Sequence, residues 1–307
     1  MKAESFQGGQ ESKMYSLLHL VQNIDLSVYY WLSRFHGSWF WDHLVTHQET
    51  NTFFKSGVLI ALYWYFWFLG DRDQPWRRMT ILNIFTGTMV GLVVTRLIAT
   101  FAPFRVRPLY DGALHHQAMA VPSPTDFMSW SSFPSDHAAY LCALGFGIIL
   151  LSRRLTIPVV LFLAGWVCMP RLYLGIHYLS DVVAGAAIGV FAVWAVLKIK
   201  WVNVRISRPL LAFADARPQV FFMVAYMTMY EMGSLFWDVR EPMHAILKIA
   251  RSAPSHTVID VVAISLTFVC GIIAFCYYSA TRCDDVAFTI RQDLAGPKLY
   301  GNVNDST

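Results

Sequence analysis

Residues 171–199 read RLYLGIHYLSDVVAGAAIGVFAVWAVLKI, and this stretch decides the fold. From Tyr178 to Ile199 the run is almost wholly apolar and reaches the ~20 residues that a membrane-crossing helix requires. Three ionisable residues, Arg171, His177 and Asp181, stand at its start. Such groups are costly at the edge of a bilayer, so their presence points to function. His177 and Asp181 are four residues apart and would share a helix face. The carboxylate is then expected to hold one imidazole nitrogen, fix the tautomer and leave the other nitrogen free to attack.

The rest of the chain agrees with a membrane setting. Of 307 residues, 56% are hydrophobic, 15% aromatic and only 14% charged, against about 25% charged in soluble domains. Seven spans are predicted: Phe53–Gly70, Met79–Ala102, Ser135–Leu151, Ile157–Leu174, Tyr178–Ile199, Val220–Trp237 and Val258–Ala280. The expected fold is an all-α polytopic bundle: a core of about five to six helices plus two at the C-terminal side. Leu26–Val45 mixes Trp and Tyr with Arg34, His36 and His43, which predicts a helix lying in the interface, with a first membrane crossing as the alternative. The organisation follows as an N-terminal segment over 1–52, a catalytic core over 53–200, a transmembrane extension over 201–280 and a polar, disordered tail over 281–307. Met1–Lys13 is polar and no cleavable leader is expected, so internal helices drive insertion.

Basic residues set the orientation. Arg72, Arg77 and Arg78, then Arg153 and Arg154, then Lys198, Lys200, Arg205, Arg208 and Arg217 occupy alternate loops and predict a cytoplasmic side. The net charge of +4 is scattered, which argues against a nucleic-acid partner. The five cysteines have no ligand or framework spacing and read as packing residues. Gly87-x-x-x-Gly91 and Gly185-x-x-x-Gly189 predict close helix–helix approach.

On the opposite face three polar clusters coincide. Arg96 is followed by Phe104-Arg105-Val106-Arg107-Pro108. Phe133-Pro134-Ser135-Asp136-His137 opens the third span, and Arg171, His177 and Asp181 join the fourth to the fifth. Arginines bind phosphate oxygens with paired N–H groups. Ser135 and the amides of Asp136 and His137 begin a helix, a natural anion site. His137 is placed as a general acid.

Arg107-Pro108, Pro134-Ser135-Asp136-His137 and Arg171-x5-His177-x3-Asp181 together resemble the type 2 phosphatidic acid phosphatase superfamily. The resemblance covers about Arg96 to Gly189. It implies that His177 attacks phosphorus to form a phosphohistidine, oriented by Asp181. It also implies that His137 protonates the leaving oxygen and later activates water, and that Arg107, Arg171 and Ser135 hold the phosphoryl oxygens. No metal or other cofactor is implied. The sequence departs from the pattern at Thr100, where Lys is usual, at Asp136, where Gly is usual, and at Pro170, where Ser is common. Arg96, one turn before Thr100, is expected to supply the missing charge, with Arg105 the other candidate.

The function so implied is hydrolysis of a lipid phosphate or pyrophosphate, of isoprenoid pyrophosphate, phosphatidate or phosphatidylglycerophosphate type. The setting implied is a bacterial inner membrane, with the site on the extracytoplasmic face. Transfer of the phosphoryl group to a lipid or sugar hydroxyl is the near alternative. A non-catalytic lipid-phosphate binder or transporter is the distant one. Leu109–Phe133, with Phe127 and Trp130, is long enough for a lid. Elsewhere, His43-x3-His47-x-Glu49 reads as interfacial helix rather than a metal site. His115-His116 reads as solvated loop, and Pro254-Ser255-His256 as a helix start.

Overall fold

The computed structural model describes residues 2–114, 128 and 130–236, with side chains from residue 15 onward. His115-His116, Phe127, Pro254-Ser255-His256, the span Val258–Ala280 and the tail 281–307 lie outside the described residues. All regular structure among the described residues is helical. The chain divides into two compact units, Met1–Leu211 and Ala212–Thr307.

The first unit holds α1 (Lys2–Ser33), α2 (Trp39–Thr50), α3 (Phe53–Phe68), α4 (Gln74–Phe101), α5 (Asp136–Leu151), α6 (Arg153–Tyr173) and α7 (Leu179–Lys198). Helices α4, α6 and α7, of 28, 21 and 20 residues, are long and apolar enough to cross a bilayer, and α3 and α5 are shorter apolar helices. The fourth span is therefore longer than its apolar residues alone suggested, because its polar ends join the helix. In the second unit, the sixth expected span is a helix over Pro218–Gly233 of 16 residues, short of the roughly 20 that a crossing needs.

The bundle is apolar outside as well as inside. Val90, Val93, Leu97 and Phe101 of α4, Ile157 and Leu161 of α6, and Val183, Phe191 and Trp194 of α7 all point outward. This is the pattern of a helix bundle facing lipid. Inside, α4, α5 and α7 pack on one another, and the paired glycines permit it. A Cβ on Gly185 would lie 2.2 Å from the Ser135 carbonyl oxygen, and one on Gly189 would lie 2.0 Å from that of Ala139. Gly87 and Gly91 meet Val193 and Ala192 of α7 in the same way. The small-residue motifs thus press the start of α5 directly onto α7.

At the opposite end Arg77 donates to the carbonyls of Phe66 and Leu69 at 3.3 and 2.8 Å, and Arg78 donates to that of Trp67 at 3.2 Å. These are final carbonyls of α3 and the residue after it, which have no intrahelical donor. These two arginines at the start of α4 therefore finish α3.

The single interfacial helix expected over Leu26–Val45 is two helices. Gly37 adopts φ 84°, a left-handed conformation open to glycine, and ends the turn between α1 and α2. Leu32 and Val45 are buried against Tyr173, Leu174 and Ile176, so both helices are built into the bundle where α6 ends.

Candidate active site

Helix ends assemble the site. The start of α3 brings Lys55, the end of α4 Arg96, the start of α5 Asp136 and His137, the end of α6 Arg171, and the start of α7 Asp181. The last turn of α2 adds Glu49 and the 102–108 segment adds Arg105 and Arg107. Residues 75 and more apart in sequence are joined here, and all nine candidates from the sequence lie at this end of the bundle.

His177 sits just before α7, buried at 5% exposure. Its Nδ1–H donates to the Ser132 carbonyl at 2.8 Å, which leaves Nε2 without a proton in the neutral ring. Arg107 Nη1 lies 3.5 Å from Nε2 and donates to the Ile176 carbonyl at 2.9 Å. Burial, with Arg107 and Arg171 adding to it, holds the His177 pKa well below 6.5. Burial and the neighbouring Arg171 also bring Arg107 down to about 10. The result is a neutral imidazole whose bare nitrogen faces a guanidinium.

Asp181 takes a different role from the one its spacing suggested. Its Oδ2 is 3.9 Å from His177 Nδ1, beyond hydrogen-bond range. The four-residue spacing does not bring the pair together because His177 precedes the helix and does not follow its turn. Asp181 instead accepts from the Tyr178 N–H at 2.8 Å, closing the first turn of α7. It also accepts from Ser132 Oγ at 2.5 Å and pairs with Arg105 Nη1 at 2.5 Å. The backbone carbonyl of Ser132 sets the tautomer, and Asp181 holds Ser132 in place.

Arg105 is likewise anchored. Its other guanidinium nitrogen pairs with Asp25 at 2.7 Å, and the group lies 4.2 Å over the Tyr178 ring. Asp25 also accepts from the Ser180 N–H and hydroxyl at 2.8 and 2.6 Å. Arg105 therefore braces α1 against α7, with its guanidinium shared between two carboxylates. Arg96 pairs with Asp136 and stacks over Trp130 at 4.5 Å. The acid that departs from the family pattern is thus met by the arginine expected to replace the absent lysine.

Arg171, 3% exposed, donates to Glu49 Oε1 at 2.7 Å. The same oxygen lies 3.4 Å from Lys55 Nζ. Ser135 is fully buried, its N–H donates to the Asp181 carbonyl at 3.0 Å, and its hydroxyl has no partner among the described residues. His137 lies within electrostatic reach of Arg171, Lys55, His177 and Arg96. The Glu49 of the His43-x3-His47-x-Glu49 pattern is engaged by cations, while His43 Nδ1 bonds the Trp39 carbonyl at 2.8 Å.

Sequence reasoning missed Ser132, Asp25, Glu49 and Lys55. Ser132 acts through its backbone and leaves no signature. Lys55 had a signal: it is the one charged residue in the span Phe53–Gly70, and an ionisable group in a span asks for a partner.

Residues 80–205 match the model of the PAP2 superfamily. The chain is 28% identical over 131 residues to the bacitracin transport permease protein BcrC of Bacillus licheniformis, covering 41% of this chain and 59% of that one. It is 34% identical over 121 residues to the decaprenylphosphoryl-5-phosphoribose phosphatase of Mycobacterium tuberculosis, covering 39% of this chain and 62% of that one. The matches thus span about three fifths of the length of these curated relatives. No solved structure matches.

Proposed function

We propose, from the match of residues 80–205 to the PAP2 superfamily model, that this chain is a membrane phosphatase of lipid phosphates or pyrophosphates. The observation that carries the reading is His177, with Nδ1–H tied to a carbonyl at 2.8 Å and Nε2 bare beside Arg107 at 3.5 Å. This is the geometry of an activated nucleophile next to an oxyanion ligand.

In the proposed reaction His177 Nε2 attacks phosphorus and the bond to the leaving oxygen breaks. His137 protonates that oxygen, and the dianionic phosphate supplies the negative charge that supports its proton. Arg107, Arg171 and the Ser135 hydroxyl hold the non-bridging oxygens. Asp181, 3.9 Å from Nδ1, offsets the positive charge that the phosphorylated ring acquires. Water then attacks phosphorus, gives its proton to His137 and releases phosphate, restoring His177. The cations already present balance the phosphoryl charge, so no divalent ion takes part.

A polyprenyl type of lipid is favoured, because the mycobacterial relative is named for a decaprenylphosphoryl substrate. The site lies at the ends of bilayer-length helices, where a headgroup can enter while its chain stays in the membrane. The side opposite the loop arginines is the extracytoplasmic one.

The test is a purified protein offered a panel of lipid phosphates and pyrophosphates, with chelator present. Phosphate release, vanadate inhibition and an alkali-stable phosphohistidine on rapid quench are expected, all lost in His177→Ala. The permease name of the Bacillus relative accommodates a transporter; transport of a lipid phosphate with no phosphohistidine would favour that reading. Transfer to an added hydroxyl acceptor, with no free phosphate, would favour the phosphotransferase.

A further inference from the structure

Lys55 is buried at 7% exposure in the widened, π-helical first turn of α3. Turns of this kind recur at functional sites. Lys55 Nζ donates to the Glu49 carbonyl and lies 3.4 Å from Glu49 Oε1, the same oxygen that Arg171 holds at 2.7 Å. Two buried cations therefore share one carboxylate, and the trio carries a net positive charge. Uncompensated charge in a low-dielectric setting is costly unless an anion completes it.

A second feature points to the same ligand. Arg171 Nε and Ser135 Oγ are buried donors with no hydrogen-bond partner among the described residues. Both groups belong to the phosphate-binding set, and both side chains are at least nine-tenths buried. Glu49 is held in place from the side, since its neighbour Gln48 donates to the Trp166 carbonyl of α6 at 3.2 Å. Lys55 lies within electrostatic reach of His137, the proposed general acid.

We propose that Lys55 is a third cationic ligand of the phosphoryl group, and that Glu49 is the counter-ion from which a bound phosphate draws Lys55 and Arg171. The ligand class is a tetrahedral or trigonal-bipyramidal oxyanion: a phosphate monoester, the terminal phosphate of a pyrophosphate, inorganic phosphate or vanadate. The inference rests on the phosphatase reading and adds to it an element that precedes the family segment, residues 80–205.

The experiment measures vanadate binding by calorimetry and phosphate release by the full chain in detergent, for wild type and variants. Lys55→Met, which keeps the stem and removes the charge, is expected to weaken vanadate and kcat/KM about tenfold or more, with Lys55→Arg recovering most of the loss. Glu49→Gln, which removes the competing negative charge, is expected to tighten vanadate binding. Folded Lys55→Met with wild-type vanadate affinity overturns the proposal. So does Glu49→Gln with unchanged or weaker affinity, which decides the matter even where Lys55→Met does not fold. Wild type that neither releases phosphate nor binds vanadate overturns the phosphatase reading itself. Wild type that does both while the Lys55 and Glu49 variants behave like it overturns this inference alone.

Discussion

Asp181→Asn should slow phosphohistidine formation by roughly 10²–10³-fold and leave the imidazole tautomer unchanged. The carboxylate Oδ2 lies 3.9 Å from His177 Nδ1. Opposite charges at about that separation interact by about 4 kcal/mol at an effective dielectric near 20. Arg105, paired with the same carboxylate at 2.5 Å, offsets part of this, so about 3–4 kcal/mol of stabilisation of the cationic phosphohistidine is at stake. A carboxylate that also fixed the tautomer would cost about 10⁴-fold on conversion to amide. Here the Ser132 carbonyl holds Nδ1–H at 2.8 Å and survives the substitution. The asparagine oxygen can still accept from Ser132 Oγ or the Tyr178 N–H, though its NH₂ faces Arg105. A loss of stability of about 1–3 kcal/mol is therefore expected alongside. Single-turnover phosphorylation gives the rate, thermal unfolding the stability, and nitrogen NMR of the imidazole the tautomer. A 10⁴-fold loss with a switched tautomer would refute the assignment to Ser132. A loss below about tenfold would refute the electrostatic role.

Other consequences follow from the same geometry. Because burial, Arg107 and Arg171 keep His177 neutral below pH 6.5, the unfolded chain takes up a proton there that the folded chain refuses. The stability contributed by His177 is present above pH 6.5 and falls as pH drops below it, so His177→Asn should flatten that limb of the unfolding profile; an unchanged slope counts against it. Arg96→Ala should lower kcat/KM about tenfold, because it leaves Asp136 facing the phosphate, and adding Asp136→Asn should restore much of the loss. If the double variant is as poor as the single one, Arg96 contacts the substrate itself. Gly189→Ala places a Cβ 2.0 Å from the Ala139 carbonyl oxygen, whereas one at Gly165 meets nothing within 4 Å. The first should cost about 3 kcal/mol or more of stability and the second well under 1 kcal/mol, as read by thermal unfolding of the two proteins side by side.

Much of this was legible from composition and spacing. The apolar runs located α3 to α7 to within a few residues, since a span in lipid must satisfy its backbone internally and only a helix does so. The glycine pairs announced close helix approach, which the structure shows to be that of α4 and α5 against α7, and all nine candidate residues lie at one end of the bundle. Individual roles within the cluster were less legible. Helix periodicity misplaced Asp181, because His177 lies outside the helix. Arg105 read as the second candidate for the missing lysine's charge, because nothing local to it reveals Asp25, 80 residues away. Backbone groups such as the Ser132 carbonyl carry no residue signature at all.

The charges of the site make physical sense only when each cation is counted with the acid it meets. Arg105 is met by Asp25 and Asp181, and Arg96 by Asp136, so neither group adds net positive charge toward a phosphate. Thr100, at the position where the family resemblance calls for lysine, turns its hydroxyl back to the Arg96 carbonyl at 2.8 Å and is committed to its own helix. In the proposed reading, positive charge is offered to a substrate by the pair Arg171 and Lys55, which share the carboxylate of Glu49. Arg96 therefore answers the aspartate at position 136. On the same reading, the charge absent at Thr100 comes from a different helix, through Lys55 at the start of α3.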